Sequence, residues 1–519
     1  MNLGTLLTQS ARTFGDHVAL VHGAKRRTYR EFNARTNQLA NALCKLGVRK
    51  GDHVAILQYN YLETLEAIFA CFKAGCAAVP INFRLHPREF AFIIDHAECK
   101  AVILSPEFNE PIREVQAGLP KVQQFIALEG AQGEMLDYEA VLAGESDQWV
   151  DADVQPDDVA WLFYTSGTTG HPKGAMLTHR NLLAMTMNFF ADMAPLGPGD
   201  AILHAAPLSH GSGLYAIPNV AKAATNVILP TQSFDPEVVC RTIEEHRITN
   251  MFAAPTMVKL LVDSPAVDRY NLSSLKCLNY GGGPMYVEDL KKAIDKLGPC
   301  LVQLFGQGES PMTITYLPTR DHVTRGTREQ LGRLASAGIS RTDVEVKILD
   351  DDGNDLPPGI TGEIVTRSDL VMAGYWKNPE ATAAALRDGW LHTGDVGYLD
   401  EQGYLFIMDR SKDMVITGGE NVYPREIEEV LLRHPAVKEV AVIGVPDAKW
   451  GEKITACVVC SEGVAASEEE LIAFCKDHLA SYKKPKMVVF MSDLPKNNYG
   501  KILKRELRNQ HWEGHHRRV

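Results

Sequence analysis

Residues 164–174 read YTSGTTGHPKG, in which Thr165, Ser166, Thr168 and Thr169 alternate with Gly167, Gly170 and Gly174 around Lys173. Hydroxyls and backbone N–H groups in a glycine-rich loop can wrap a polyphosphate, and a lysine adds the positive charge that the phosphates lack. A Walker-type loop would place Gly-Lys-Ser/Thr directly before a helix. Here Gly174 follows Lys173, and GAMLT reads as a strand before Thr178 caps the helical pattern HRNLLAMTMNFF. The loop therefore joins two strands, and the apolar run VAWLF delivers the chain into it.

The elements that must hold such a loop alternate in type. TYREFNARTNQLANALCKLG opens with Thr28 and Glu31 at capping-box spacing and ends at Gly47. DHVAILQ reads as a buried strand, YLETLEAIFACFKAG as a helix, and CAAVPIN as the next strand. This βαβ alternation predicts α/β layers with largely parallel strands. GYLDEQGYLFIMDR reads as a hairpin turning at Gly403. A compact α+β pattern follows: a helix started by Pro424, the strand VKEVAVIGV, and a helical pattern SEEELIAFCKDHLASYKKPK capped by Ser467 and Glu470. The expected division is 1–410 and 411–519, a large N-terminal domain of α/β layered subdomains and a small α+β C-terminal domain.

At 519 residues, several subdomains are expected. A formal net charge of -12 argues against nucleic acid or an anionic membrane as the main partner. The start MNLGTLLTQSARTFGDH lacks a basic segment and a sustained apolar one, so no secretory signal is expected. AIFACFKAGCAAVPI is too short and too interrupted to span a bilayer and reads as a core helix running into a strand. Ten scattered cysteines fit reduced thiols in a cytoplasmic enzyme, and the CxxC of Cys457 and Cys460 reads as buried structural cysteine.

YTSGTTGHPKG resembles the phosphate-loop signature of the AMP-forming adenylate superfamily: acyl-CoA synthetases, carrier-protein adenylation domains and luciferases. Further signatures follow in order: PLSHGSGL (207–214), YGGGPM (280–285), LFGQGESP (304–311), LHTGD (391–395), DRSKDMVITGGENVYPREIE (409–428) and LPKNNYGKILKREL (494–507). The resemblance implies a fold of the kind above and a two-step reaction. A carboxylate attacks the α-phosphate of ATP to give acyl-AMP and pyrophosphate, and CoA then takes the acyl group and releases AMP.

It also implies roles. Thr165, Ser166, Gly167, Thr168, Thr169, Gly170 and Lys173 would hold the β and γ phosphates. Gly281, Gly282, Gly283, Phe305, Gly306 and Gly308 would line the nucleotide, with Phe305 stacked on adenine in place of the usual tyrosine. Glu309, with Thr168, would hold Mg²⁺ through hard oxygen ligands. Gly308 stands where the family more often has threonine, a lost hydroxyl near the α-phosphate. Asp395 would accept the ribose hydroxyls and Arg410 reach the ribose or α-phosphate. Lys501 would bridge the attacking carboxylate and the α-phosphate, whereas Lys504, Arg505 and Arg508 read as a solvated helix face. Lys412 matches the hinge about which the small domain swings, bringing Gly418 and Gly419 in to form a thiol tunnel.

His210, Gly211, Leu214, Tyr215 and Ser310 are expected to line the acyl side, with His210 as the gate beside the reacting carboxylate. SHGSGLY, YGGGPMY and FGQGESPM contain no Lys or Arg, which favours an apolar fatty or aryl monocarboxylic acid over a dicarboxylate. Gly211 and Gly213 are read as leaving space for it. A free-standing adenylation enzyme loading a phosphopantetheinyl carrier protein is the alternative, separated only by the acceptor. The sequence sets no oligomeric state, a homodimer being one arrangement open to it.

Overall fold

The computed structural model describes residues 1–148, 152–165, 172–410, 413–417, 420–447, 450–480, 482–496 and 502–512, the side chains of Arg410 and Trp512 excepted. Four sheets organise these residues. In the seven-stranded sheet, His53–Leu57 pairs in parallel with both Ala77–Pro80 and Ala101–Leu104. His53–Leu57 and Ala77–Pro80 are buried along their whole length, as strands covered on both faces must be. The nine-stranded sheet runs parallel from Ala201–His204 through Asn250–Ala253 and Cys277–Tyr280 to Leu301–Gln307, then turns back antiparallel into Ser310–Leu317.

Three hydrophobic cores make these sheets layers of one body. The central core holds Phe32, Phe69, Leu182 and Leu214 from helices, with Trp161 from the seven-stranded sheet and Ile202 from the nine-stranded one. A second core packs Val239, Leu261 and Leu290 on the outer face of the nine-stranded sheet, and a third packs Phe90, Ile93 and Ile112 on the outer face of the seven-stranded one.

Local signals account for much of this. Thr28 caps the helix Tyr29–Lys45 in a complete capping box with Glu31. The helix Leu62–Ala74 stops at Gly75 with φ 72°, a left-handed cap suited to glycine. The hairpin pairs Trp390–Leu399 with Leu405–Arg410, and Gly403 turns it at φ 83°. The next sheet starts at Val415; the helices Pro424–Leu431 and Glu468–His478 pack one of its faces, and Leu507 lies in a smaller core with Ala441 and Cys457. The second helix ends at His478, short of the pattern's end at Lys486, where the chain turns toward the strand Met487–Phe490.

All ten cysteines are free; Cys457 is buried and Cys460 half-buried. Among the described residues no helix is long and apolar enough to cross a membrane.

Candidate active site

The strand Val159–Thr165 pairs antiparallel with Lys173–Thr178, Thr165 opposite Lys173, so the YTSGTTGHPKG loop does join two strands. Thr178 then caps the helix His179–Asp192 through Asn181. Ser166, Gly167, Thr168, Thr169 and Gly170 lie outside the described residues, as do Lys412, Gly418, Gly419 and Lys501. The flanking Thr165 and Lys173 fix where the loop leaves and rejoins the sheet.

Lys173 Nζ lies 5.1 Å from the centre of the Tyr375 ring, within range of a cation–π attraction. The Tyr375 hydroxyl donates to Glu309 Oε1 at 2.6 Å. Backbone bonds hold this trio together: Met372 N donates to Glu309 O, Trp376 N donates to Gly174 O, and Ala175 bridges Tyr375. Burial, and then the Glu309 carboxylate, push the Tyr375 hydroxyl well above its usual pKa, so it stays a donor. That leaves Glu309 with a second oxygen and further lone pairs for a hard cation, a donor set that fits Mg²⁺.

Gly308 faces the loop from the other side. A Cβ there would collide with Thr165 Cγ2 and lie 2.8 Å from Phe163 Cδ1. The missing threonine hydroxyl is thus a packing fact: the Thr165 methyl fills its place. Gln307 donates through Nε2 to Thr393 O at 2.9 Å and to Asp395 Oδ2 at 2.7 Å, tying the turn to Asp395. Asp395 is itself buried and stands opposite Arg410 in the hairpin register. Phe305 is half-buried at the end of Leu301–Gln307; Gly306 lies against the Met312 backbone, and Gly281 against Leu304 O. Gly282 has φ 82°, and with Gly283 carries the chain on from Cys277–Tyr280. Gly281 to Gly283 and Gly308 with Glu309 lie just past the carboxyl ends of Cys277–Tyr280 and Leu301–Gln307, where open α/β sheets leave a crevice.

His210 stands beside Phe163, ring centres 4.7 Å apart, so the expected acyl side adjoins the strand that enters the 164–174 loop. Desolvation lowers its pKa to about 4, leaving the imidazole neutral at pH 7. Asn60 shapes its turn by donating to Ala206 O and accepting from Leu208 N. Leu214 and Tyr215 are buried on the helix Gly211–Ala221. Two expectations are corrected here. A Cβ on Gly213 would collide with Leu208 O, so this glycine admits a close backbone crossing and leaves no acyl space. A Cβ on Gly211 would meet Phe252 and Met312 at 3.1 and 3.2 Å, a snug wall already filled by protein. Ser310 is fully buried and its hydroxyl shares a 3.1 Å bond with Thr313, so it serves the hairpin turn.

The helix Lys504–Trp512 also departs from expectation. Lys504 Nζ lies 3.3 Å from Asp409 and 2.9 Å from Glu428, and Arg508 pairs with Asp413 at 2.6 Å; Arg505 alone of the three cations is exposed. The reason is that Glu428 is buried and also accepts from Val442 N and the Tyr286 hydroxyl, so it requires a cation. Sequence reasoning missed Tyr375, Gln307 and Tyr286 as positioning groups. Gln307 and Tyr286 lie within or beside the signature motifs, but no spacing rule joins them to partners 88 and 142 residues away.

Comparison with known proteins agrees with this geometry. Residues 7–376 match the AMP-binding enzyme family and residues 426–501 the AMP-binding enzyme C-terminal domain. The chain is similar to a feruloyl-CoA synthase of Amycolatopsis sp, with 39% identity over 98% of this chain and 99% of that protein. It is 36% identical to a fatty acid–[acyl-carrier-protein] ligase of Streptomyces coeruleorubidus, over 95% of this chain and 93% of the other. Among solved structures, the amide bond synthetase of Marinactinospora thermotolerans superposes with a TM-score of 0.89 at 31% identity, covering 98% of this chain and 99% of that one. The chain belongs to the AMP-binding enzyme family, within the adenylate-forming superfamily of AMP-forming acyl-CoA synthetases.

Proposed function

We propose that this enzyme activates an apolar fatty or aryl monocarboxylate and transfers it to CoA. The observation that carries the reading is the convergence of Lys173, Tyr375, Glu309, Gln307 and Asp395 around one hairpin turn, beside a neutral His210 on an acyl side whose motifs SHGSGLY, YGGGPMY and FGQGESPM contain no Lys or Arg. The acid's oxygen attacks the α-phosphorus, the bond to the bridging oxygen of the β-phosphate breaks, and pyrophosphate leaves. The CoA sulfur then attacks the acyl carbon, the bond to the AMP oxygen breaks, and AMP leaves.

In this reading Thr165 to Gly170 and Lys173 hold the β and γ phosphates, Phe305 and Gly281 to Gly283 flank the adenine, and Asp395 with Arg410 holds the ribose. Glu309, with Thr168, would hold Mg²⁺, which supplies charge neutralisation between phosphates when bound. Tyr375 orients that carboxylate, and Lys501 meets the attacking carboxylate and α-phosphate. Neutral His210 bounds the acid's carboxylate by shape and hydrogen bonding, without a compensating charge. The working division is 1–410 and 411–519, with Lys412 as the hinge that exchanges Lys501 for Gly418 and Gly419. The ten unpaired cysteines support a cytoplasmic setting.

A panel of carboxylic acids with ATP, Mg²⁺ and CoA tests the reading through AMP release and product mass. No acyl-CoA with any acid would overturn it, and product formed only with a phosphopantetheinylated carrier would favour the carrier-loading alternative. Lys501→Ala should lose acyl-AMP formation yet still make thioester from supplied acyl-AMP. Lys412→Pro should do the reverse by stiffening the hinge. Equal loss of both half-reactions in both folded variants would remove the domain swing.

A further inference from the structure

The hairpin that carries the 164–174 loop has a second set of contacts besides those of Lys173, Tyr375 and Glu309. Tyr164 stands opposite Gly174 in its register, one pair before Thr165 and Lys173. Its ring lies across that partner: a Cβ on Gly174 would stand 3.0 Å from both Tyr164 Cε2 and Tyr164 Cζ. Glycine at 174 is what lets an aromatic ring close over the base of the hairpin. The Tyr164 hydroxyl then meets Nδ1 of His96, the last residue of the helix Pro87–His96, at 2.8 Å. Burial pushes that hydroxyl well above its usual pKa, so it stays a donor and Nδ1 accepts.

The same histidine holds the other stem. Its carbonyl accepts from Trp376 Nε1 at 3.0 Å, and Trp376 N donates to Gly174 O at 2.8 Å. One residue earlier, Tyr375 serves Lys173 and Glu309. Two neighbouring aromatics thus tie the hairpin to two different partners. The His96 ring is fixed in its turn, stacked 5.4 Å from Phe92 and set edge-on 5.9 Å from Tyr164. Trp376 packs edge-on against His53, ring centres 4.5 Å apart. The contacts close a circuit: His96 to Tyr164, Tyr164 to Gly174 by register, Gly174 to Trp376, and Trp376 back to His96. A tilt of either stem away from the helix has to stretch one of its hydrogen bonds.

We propose that His96 is a positioning residue for the acid-activating reaction, fixing both stems of the hairpin so that Lys173 and the loop hydroxyls meet the β and γ phosphates. This rests on the phosphate-gripping role argued above. Donors aimed before the ligand arrives bind it better, because orienting them afterwards takes back part of the binding energy. Lys173 adjoins Gly174 and lies one pair from Tyr164, so it feels the circuit directly. Adenine and ribose are assigned to residues of other segments, so the effect belongs to the two outer phosphates.

AMP is therefore the internal control, since it keeps adenine, ribose and the α-phosphate but lacks the β and γ phosphates. Calorimetric Kd with Mg²⁺ is measured for AMP and for α,β-methylene ATP, in the unaltered enzyme, Tyr164→Phe, His96→Ala and the double variant. Tyr164→Phe keeps the ring over Gly174 and removes only the bond to His96. It should weaken the ATP analogue about threefold to tenfold, the scale of one net hydrogen bond, and leave AMP within twofold. His96→Ala should do at least as much, and the double variant little more, because both changes break one contact. In acid-dependent exchange the KM for ATP and for pyrophosphate should rise together while the KM for the acid holds. Equal weakening of AMP and the analogue overturns the proposal, as does a lowered melting temperature with an unaltered ratio of the two affinities. So do fully additive losses in the double variant, or unchanged binding of the analogue in Tyr164→Phe, which keeps the test open if His96→Ala does not fold. Absence of acyl-CoA with every acid strikes the parent function instead, while the ratio of the two nucleotide affinities still judges this proposal.

Discussion

The two halves of the site treat their polar groups in opposite ways. On the nucleotide side, Glu309 is held by Tyr375, Asp395 by Gln307, and the Thr165 methyl fills the space over Gly308. On the acyl side, the hydroxyl of Tyr215 and the amide nitrogen of Asn279 are buried without hydrogen-bond partners among the described residues, while His204 beneath the same helix is fully bonded to Ser212 and Asn226. A nucleotide presents the same oxygens in every turnover, so groups aimed at it gain from being fixed in advance. A buried polar group left unmatched forfeits the hydrogen bonds it would make to water and gains no such advantage.

The sharpest way to break this contrast is at Glu309. Glu309→Gln keeps the shape and a hydrogen bond from Tyr375 but removes the charge. Acid-dependent ATP–pyrophosphate exchange should fall by about 10²–10³, the scale of losing one preorganised electrostatic group. Exchange kept within threefold would mean that this carboxylate only supports the turn.

A second effect concerns the acyl side's support. Burial holds His204 down to about 4, against 6.5 unfolded. The folded chain therefore binds fewer protons than the unfolded one between those values. The stability contributed is whole above pH 6.5 and is lost as pH falls toward 4, amounting to about 3 kcal/mol for His204 alone. Denaturant unfolding across pH 4–7 should show the decline, and His204→Gln should make it shallower by that share, since burial lowers His179, His210 and His322 alike; an unchanged slope in the variant would assign the loss to those other groups.

Smaller still is Gly308→Thr, which restores the residue more frequent in the family. Overpacking against Thr165 and Phe163 should cost about 1–3 kcal/mol, shared between stability and nucleotide binding. A double change with Thr165→Ser, which removes the colliding methyl, should recover most of it, and failure to recover would place the strain elsewhere. Smallest is Tyr375→Phe, which removes one hydrogen bond to Glu309 and leaves the ring over which Lys173 sits. A fall in exchange equivalent to about 0.5–1.5 kcal/mol is expected. A larger loss would mean that Tyr375 itself touches the phosphates.

Local chemistry is legible in the residues alone. The strand–loop–strand around Lys173, the capping boxes at Thr28 and Ser467, the Gly75 stop and the Gly403 hairpin depend on neighbours a few residues away, and all form as their residue types require. The order of the motifs also points to an adenylate-forming enzyme, because each motif carries its chemistry within one short segment. Faces and spaces are what mislead. Lys504 and Arg508 have the spacing of a solvated charge run, yet the buried Glu428 and the half-buried Asp413 are packed against them. Gly211 and Gly213 suggest room for an acid, but Phe252, Met312 and the Leu208 carbonyl occupy it.

Reaction class and most of the elements that carry the motifs are thus set by the sequence without further help. Tertiary structure decided which groups are paired. Tyr375 meets Glu309 and Gln307 meets Asp395 only because separate strands are brought together in the fold. Hydrogen bonding and burial depend on distances between segments far apart in the chain, and local sequence rules carry no term for them.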